Sequence, residues 1–361
     1  MEKYRVGIVG ATGMVGQRFI SLLKDHPWFE VNCVAASARS AGKTYREAVG
    51  ERWAFSWEIP EKVAGMTVVD AADIDEVSKH VDFVFCAVDM KKDEIRALEE
   101  AYAKHEIPVV SNNSACRGIE DVPMVVPEIN ADHLAVIEAQ KKRLGTKNGF
   151  IAVKPNCSIQ SYVPALTPLL DFEPEKVSAC TYQAISGAGK TFKTWPEMVD
   201  NVIPYIGGED EKSENEPLKL WGHVEDGKIV NATLPVISAQ CLRVACSDGH
   251  MAAVSVSFKK KPTIEQIKER WANYETEAQR LELPSAPKPF LQYFEDPSRP
   301  QTRLDRDFQN GFGVSIGRLR EDKLFDYRFV CLSHNTVRGA AGGGILTAEL
   351  LCRKGYIPHR V

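Results

Sequence analysis

The residue with the clearest chemical potential is Cys157, in the run Lys154-Pro-Asn-Cys-Ser-Ile-Gln-Ser161. An apolar strand, Phe150 to Val153, ends at Lys154-Pro155, and proline both closes a strand and restricts the residue before it. The stretch after Cys157 reads as the start of a helix, which sets the thiol against unpaired N–H groups and the positive end of the dipole. Both favour thiolate, the nucleophilic form. A buried structural cysteine is the alternative for any one of nine such residues. Farther on, Arg243-Val-Ala-Cys-Ser-Asp-Gly-His250 brings a permanent cation close in sequence to an imidazole, the usual general base near neutral pH. Tyr182-Gln183-Ala-Ile-Ser186-Gly187-Ala-Gly189 reads as a strand entering a glycine-rich turn. Glu216-Pro-Leu-Lys219 spaces a carboxylate and an ammonium for one face of a helix. Taken singly, a satisfied histidine, an ordinary turn and a surface ion pair are the better explanations of these segments.

Such a nucleophile needs a scaffold, and the first part of the chain has the pattern of one. Tyr4 to Val9 is a short apolar strand, followed by Gly10-Ala-Thr12-Gly13-Met14-Val15-Gly16 and a helical stretch, Gln17 to Lys24. Strand, glycine turn and helix form the context of a dinucleotide site, where glycines let the backbone approach a pyrophosphate at a helix N-terminus. The second strand, Phe29 to Ala36, ends in Ser37-Ala-Arg39-Ser40-Ala-Gly-Lys43. An acidic residue there would bind ribose hydroxyls; Ser37, Arg39, Ser40 and Lys43 suit a 2′-phosphate instead, so NADP is expected rather than NAD. Val81 to Val88, a helix over Lys91 to Lys104 and Ile107 to Ser111 continue the alternation of a doubly wound parallel sheet. Arg117 follows that last strand and is a candidate anion ligand at the carboxyl-end crevice.

After Cys157 the alternation of Val254-Ser-Val-Ser-Phe258 predicts a mixed or antiparallel sheet with a face free for an interface. Helices are expected over Thr191 to Asn201, Thr263 to Leu281 and Ile345 to Arg353, a loop over Gly207 to Pro217, and an extended connection over Pro284 to Pro300. The fold class is therefore α/β, a Rossmann-type parallel sheet followed by a second α+β domain. With 361 residues, two substantial cores are affordable. The net charge of −4 points to neither nucleic acid nor an anionic membrane, and no apolar run approaches a membrane span. A start that runs directly into a strand, and nine cysteines without metal-ligand spacing, lead us to expect a cytoplasmic enzyme with reduced thiols and no bound metal.

The ordered set GATGMVG, ASARSAGK, SNNSACR, PNCS, TYQAISGAG, ENEPLK, RVACSDGH and NTVRGAAGGG resembles aspartate-β-semialdehyde dehydrogenases, most closely the archaeal and fungal branch. The resemblance implies reversible NADPH-dependent reduction of L-4-aspartyl phosphate to L-aspartate 4-semialdehyde and phosphate, through a cysteine thioester. That reaction belongs to the route to lysine, threonine, methionine and isoleucine. It implies Cys157 as nucleophile, His250 as acid/base, Gln183 as the group that positions substrate, and Asn156 with backbone N–H groups at the oxyanion. Arg243 would grip the α-carboxylate, Glu216 the α-amino group, and Arg117 and Lys219 the phosphate. Gly10, Thr12, Gly13, Met14 and Val15 would surround the pyrophosphate, and Ser37, Arg39 and Ser40 the 2′-phosphate. Ser186 and Gly187 would also bind the cofactor, and Asn335 would approach the nicotinamide amide. The implied division is an NADP-binding domain of residues 1–155 joined by the C-terminal segment 336–361, and a catalytic and dimerisation domain of 156–335. A homodimer or homotetramer is expected. A malonyl-CoA reductase would share the scaffold and the thiol, but would have no use for the Arg243 and Glu216 pair.

Overall fold

The computed structural model describes residues 2–359; Arg360 and Val361, the end of the expected C-terminal segment, lie outside the described residues. Short β-branched and aromatic runs make a first sheet of six parallel strands: β1 Tyr4–Val9, β2 Phe29–Ala36, β3 Val69–Asp70, β4 Phe83–Cys86, β5 Val109–Ser111 and β6 Ile151–Val153. Their order, β3-β2-β1-β4-β5-β6, reverses direction between β1 and β4 and so opens a crevice at the carboxyl ends. Every residue of β4 is buried, as a strand covered on both faces must be.

The second sheet has seven strands in the order β13-β14-β15-β12-β7-β11-β8. These are β7 Pro174–Gln183, β8 Val202–Ile203, β11 Val236–Val244, β12 His250–Phe258, β13 Leu291–Phe294, β14 Val314–Glu321 and β15 Tyr327–Ser333. A separate hairpin is built from β9 His223–Glu225 and β10 Lys228–Val230. β12 alternates buried and half-buried residues along its whole length, as the sequence pattern required. One face packs on Tyr162, Leu166, Leu169, Ile267 and Trp271. Toward the β11 and β8 edge, Tyr182 of β7, Val202 of β8 and Val236 of β11 remain exposed. The sheet is mixed: β12 runs antiparallel to β7 and β15, while β7 and β11 are parallel.

Three helices frame the site: α1 Met14–Leu23, α2 Glu209–Leu220 and α3 Gly342–Arg353. In α3, Ile345, Leu346, Ala348, Leu350 and Leu351 enter the same core as Val6, Ile8 and Phe19.

Four expected elements differ. Gly207 to Pro217, read as a loop, is mostly helix α2; Glu209, Asp210 and Glu211 in its first turn complement the dipole and outweigh the polar composition. Thr191 to Asn201 holds only a single helical turn, Pro196–Met198, because Pro196 keeps Trp195 out of the helical region. Thr263 to Leu281 is two helices, Ile264–Ala272 and Glu277–Arg280, the second capped anew by Thr276. The proline-rich connection contains the edge strand β13. In addition, α1 and α3 begin at Met14 and Gly342, before Gln17 and Ile345, so glycines counted as turn residues are partly helical.

Candidate active site

Cys157 stands just past β6 and caps a single turn, Ser158–Gln160, that leads into the short helix Tyr162–Leu166. The expected helix N-terminus is therefore a brief and interrupted one, and it does not dominate the thiol. Burial, followed by Glu209, pushes the Cys157 thiol up, and Lys154, Arg243 and Arg117 pull it down without cancelling the rise. His250, the first residue of β12, faces it with Nε2 3.5 Å from Sγ. The Ala184 N–H donates to His250 Nδ1 at 3.1 Å, so the neutral ring carries its hydrogen on Nε2, toward the thiol. Burial, then the Arg243 charge, drives His250 down to about 3. The ring is thus a neutral hydrogen-bond donor.

Arg243 lies near the end of β11 and gives one Nη1–H to the Ala184 carbonyl at 2.7 Å. Gly187 closes over both groups: a side chain there would meet Arg243 Nη1 at 2.8 Å and His250 Nε2 at 3.0 Å. Glycine at 187 is what allows the turn after β7 to come so near.

Beside this cluster is a carboxylate that reading the sequence missed. Glu209, the first residue of α2, accepts hydrogen bonds from Asn156 Nδ2 (2.9 Å), Gln183 Nε2 (3.1 Å) and Lys212 Nζ (2.8 Å). A carboxylate has about four lone-pair positions, so one remains open. Despite its burial, these donors hold Glu209 below the ordinary carboxylate range. Its charge acts on Cys157, Arg243 and His250 alike. The signal was present: Glu209-x-x-Lys212 has the same spacing as Glu216-x-x-Lys219, one heptad earlier.

The second pair has partners within the protein. Glu216 accepts from the Asn156 backbone N–H at 2.5 Å and from Arg117 Nη1 at 2.9 Å. Lys219 gives its three hydrogens to the carbonyls of Arg117, Ile119 and Val122 at 2.7, 2.7 and 3.0 Å. Burial lowers it to about 8. Glu216 thus holds Arg117, and Lys219 fastens the loop that carries Arg117. Asn335 Oδ1 accepts from the Gly249 N–H and its Nδ2 donates to Ser186 Oγ, each at 2.8 Å, so it braces two loops. Asn156 has a carboxamide spent partly on Glu209 and on the Ser158 N–H, whereas the Cys157 N–H has no partner among the described residues.

On the other side of the crevice, Gly10 (φ +90°) lies so close to the Ala87 carbonyl that no side chain fits, and Gly16 is equally confined by Gly10 and Ala11. Gly13 is the N-cap of α1, with no side-chain cap and no acidic residue in the first turn, so the N–H groups beyond it are left for an anion. Thr12, Met14 and Val15 line that turn half-buried; Ser37 and Arg39 are exposed beyond β2, where the Ser40 N–H closes a turn on Ser37 O at 2.8 Å. Arg39 makes no ion pair or hydrogen bond with its side chain among the described residues. Asn112, just after β5, has a buried carboxamide with neither atom satisfied. An uncapped helix start, a backbone cradle closed to side chains and an orphaned amide at the strand ends fit a bound dinucleotide.

Comparison with known proteins agrees with this geometry. Residues 5–137 match the semialdehyde dehydrogenase NAD binding domain and residues 166–338 the semialdehyde dehydrogenase dimerisation domain. An aspartate-semialdehyde dehydrogenase of Archaeoglobus fulgidus is 43% identical, covering 98% of this chain and 100% of that one. One from Schizosaccharomyces pombe is 45% identical over 98% of this chain and 99% of its own. The crystal structure of aspartate semialdehyde dehydrogenase with NADP from Candida albicans superposes with a TM-score of 0.89 at 39% identity, covering 99% of this chain and 100% of that one. A thiol, an imidazole, a guanidinium and a buried carboxylate meet in one site, and the sequence matches show that the chain belongs to the aspartate-semialdehyde dehydrogenase family.

Proposed function

We propose that this protein catalyses the NADPH-dependent, reversible reduction of L-4-aspartyl phosphate to L-aspartate 4-semialdehyde and phosphate. The observation that carries the reading is the contact of Cys157 Sγ with His250 Nε2 between Arg243 and Glu209. Arg243 and Glu209 are a cation and an anion set for the carboxylate and ammonium of an amino acid, with the thiol near both. Arg243 receives the α-carboxylate through its remaining N–H groups. Glu209 takes the α-amino group on its open lone pair, and Gln183, held by Glu209 and by Thr181 Oγ1 at 3.1 Å, fixes the substrate beside the thiol. Arg117 and Lys212 meet the phosphate.

Cys157 thiolate attacks the acyl carbon; the carbon–sulfur bond forms, the carbon–oxygen bond to phosphate breaks, and phosphate departs. NADPH, when bound, supplies the hydride that reduces the resulting thioester. His250 Nε2–H and the Cys157 N–H hold the substrate oxygen while it is negative. Collapse of that oxygen to a carbonyl expels the thiolate and frees the aldehyde. Backbone N–H groups from Gly13 to Val15 hold the pyrophosphate, and Ser37, Arg39 and Ser40 the 2′-phosphate.

The same reading divides the chain into residues 1–155 with 336–361 around the cofactor, and 156–335 around the substrate. It places the enzyme in the cytoplasm, in keeping with nine unpaired cysteines. It also pairs two copies across the exposed Tyr182, Val202 and Val236 edge. The test is reduction of NADP by aspartate semialdehyde with and without phosphate, beside a malonyl-CoA and NADPH assay. Phosphate-dependent turnover, lost in Cys157→Ser with NADP affinity retained, is the expected result; turnover with malonyl-CoA alone would overturn the substrate.

A further inference from the structure

Around Cys157 the buried charges do not cancel once each has been matched to a partner. Arg117 is paired with Glu216, Arg338 with Glu128, and Glu209 with Lys212. Arg243 awaits the substrate carboxylate. One cation is left over. Lys154, immediately after β6, is 3% exposed. Its Nζ contacts the carbonyl oxygens of Pro155 and Gly339 and no carboxylate among the described residues. An ammonium buried with neutral acceptors alone is costly unless an anion lies near.

Two anions act on Lys154: Glu216, already paired with Arg117, and the nucleophile as thiolate. Gly339, whose carbonyl holds the ammonium, is also the residue packed on Cys157: a side chain there would stand 2.9 Å from Cys157 Cβ and 3.3 Å from Cys157 Cα. Gly343, one turn later, leaves a path for the lysine stem, since a side chain at 343 would stand 3.2 Å from Lys154 Cδ. The two glycines thus admit one cation to the back of the thiol. His250 cannot fill that place. Its Nδ1 is occupied by a backbone N–H, its Nε2 already carries hydrogen, and Arg243 lies alongside.

We propose that Lys154 is the counter-ion of the Cys157 thiolate, a positioning residue that acts through the nucleophile by holding one uncompensated positive charge behind it. The proposal rests on Cys157 being the nucleophile, as read above. In the active state the proton shared by the pair sits on Nζ and the negative charge on Sγ. Burial brings Lys154 down to about 7, with Arg117 and Arg338 pushing the same way and Cys157 and Glu216 opposing. Of the groups that pull the Cys157 thiol down, Lys154 comes first, ahead of Arg243 and Arg117, against Glu209.

The test is the pH dependence of Cys157 alkylation by iodoacetamide in the ligand-free enzyme, followed by mass at that residue. It is run for wild type, Lys154→Met and Lys154→Gln, with NADP affinity and Tm recorded. Both substitutions remove the charge, and glutamine keeps a donor for the two carbonyls. The expected result is a thiol titration shifted upward by one unit or more in both variants, and a fall of about tenfold in alkylation rate near neutral pH. A profile in Lys154→Gln that matches wild type would reduce Lys154 to a clamp and overturn the proposal. Should neither variant fold, wild type still decides through its thiolate absorbance against Cys157→Ser. A thiolate present well below the ordinary cysteine value of about 8.5 supports the counter-ion, and one that forms only above it overturns it. Turnover by Cys157→Ser would instead sink the nucleophile reading while leaving the Lys154 effect on the thiol measurable.

Discussion

Helix α2 carries the same pair of charges twice, Glu209 with Lys212 and Glu216 with Lys219, and the two ends do opposite things. Seven residues are just short of two turns, so both pairs lie on one face, about 10 Å apart along the axis. At the first end, Glu209 touches Asn156 and Gln183 and keeps one lone pair, and Lys212 is partly exposed and bonded only to Glu209. At the second end, Lys219 is saturated by three carbonyls, and Glu216 accepts from Arg117 and a backbone N–H. What separates the two ends is the company each carboxylate keeps, Asn156 and Gln183 against Arg117, and the unspent donors of the lysine at the first end. Residue type and spacing are the same at both ends, while Lys212 is partly exposed and Lys219 is buried.

The comparison breaks most readily at the carboxylates. Glu209→Gln should lower kcat/KM for aspartate semialdehyde by about a hundredfold, the scale of a lost charge-assisted contact. Turnover of the des-amino aldehyde should change far less, so the preference for the amino substrate collapses. Glu216→Gln should leave that preference in place. Equal loss of preference in both variants would return the α-amino group to Glu216.

The lysines sharpen it. Lys212→Met should raise the KM for phosphate by about tenfold with little change in Tm. Lys219→Met strands three buried carbonyls and should cost about 3 kcal/mol, a fall of roughly 10 °C in Tm, while the surviving enzyme keeps its phosphate KM. Thermal melts beside phosphate titrations separate the two outcomes.

The smallest effect is a matter of pH. His250 is neutral in the fold down to about 3, whereas an unfolded histidine takes a proton near 6.5. Between those values the unfolded chain binds the extra proton, so stability is complete above about 6.5 and declines as pH falls toward 3. His250→Asn should flatten part of that decline in denaturant midpoints recorded from neutral to mildly acidic pH; an unchanged slope would mean the ring is protonated in the native state.

Contiguous signals were readable in the chain. The glycine turn and its helix, β2 to the residue, and Cys157 at a strand end all follow from local sterics and hydrophobic period. Arg243 and His250 stood out as a cation and an imidazole seven residues apart, but of the two long strands that carry them only Val254 to Phe258 was legible as alternation. Glu209 was not, since a helix with Pro217 inside it and many acidic residues looks like a loop until its first turn is seen against Asn156 and Gln183. The internal partners of Lys219 and Asn335 were hidden for a related reason. A motif shows that a donor exists, but only the fold shows which acceptors have already claimed it.

The return of α3 to the first sheet bears on how the molecule is made. Its apolar residues complete a core begun by β1 and α1, and Gly339, just before it, lies against Cys157. A nascent chain thus emerges with its nucleotide-binding layer open on one side, and that layer cannot close until α3 has been translated. Synthesis order and folding order are decoupled, and Cys157 is shielded on this side only when α3 docks.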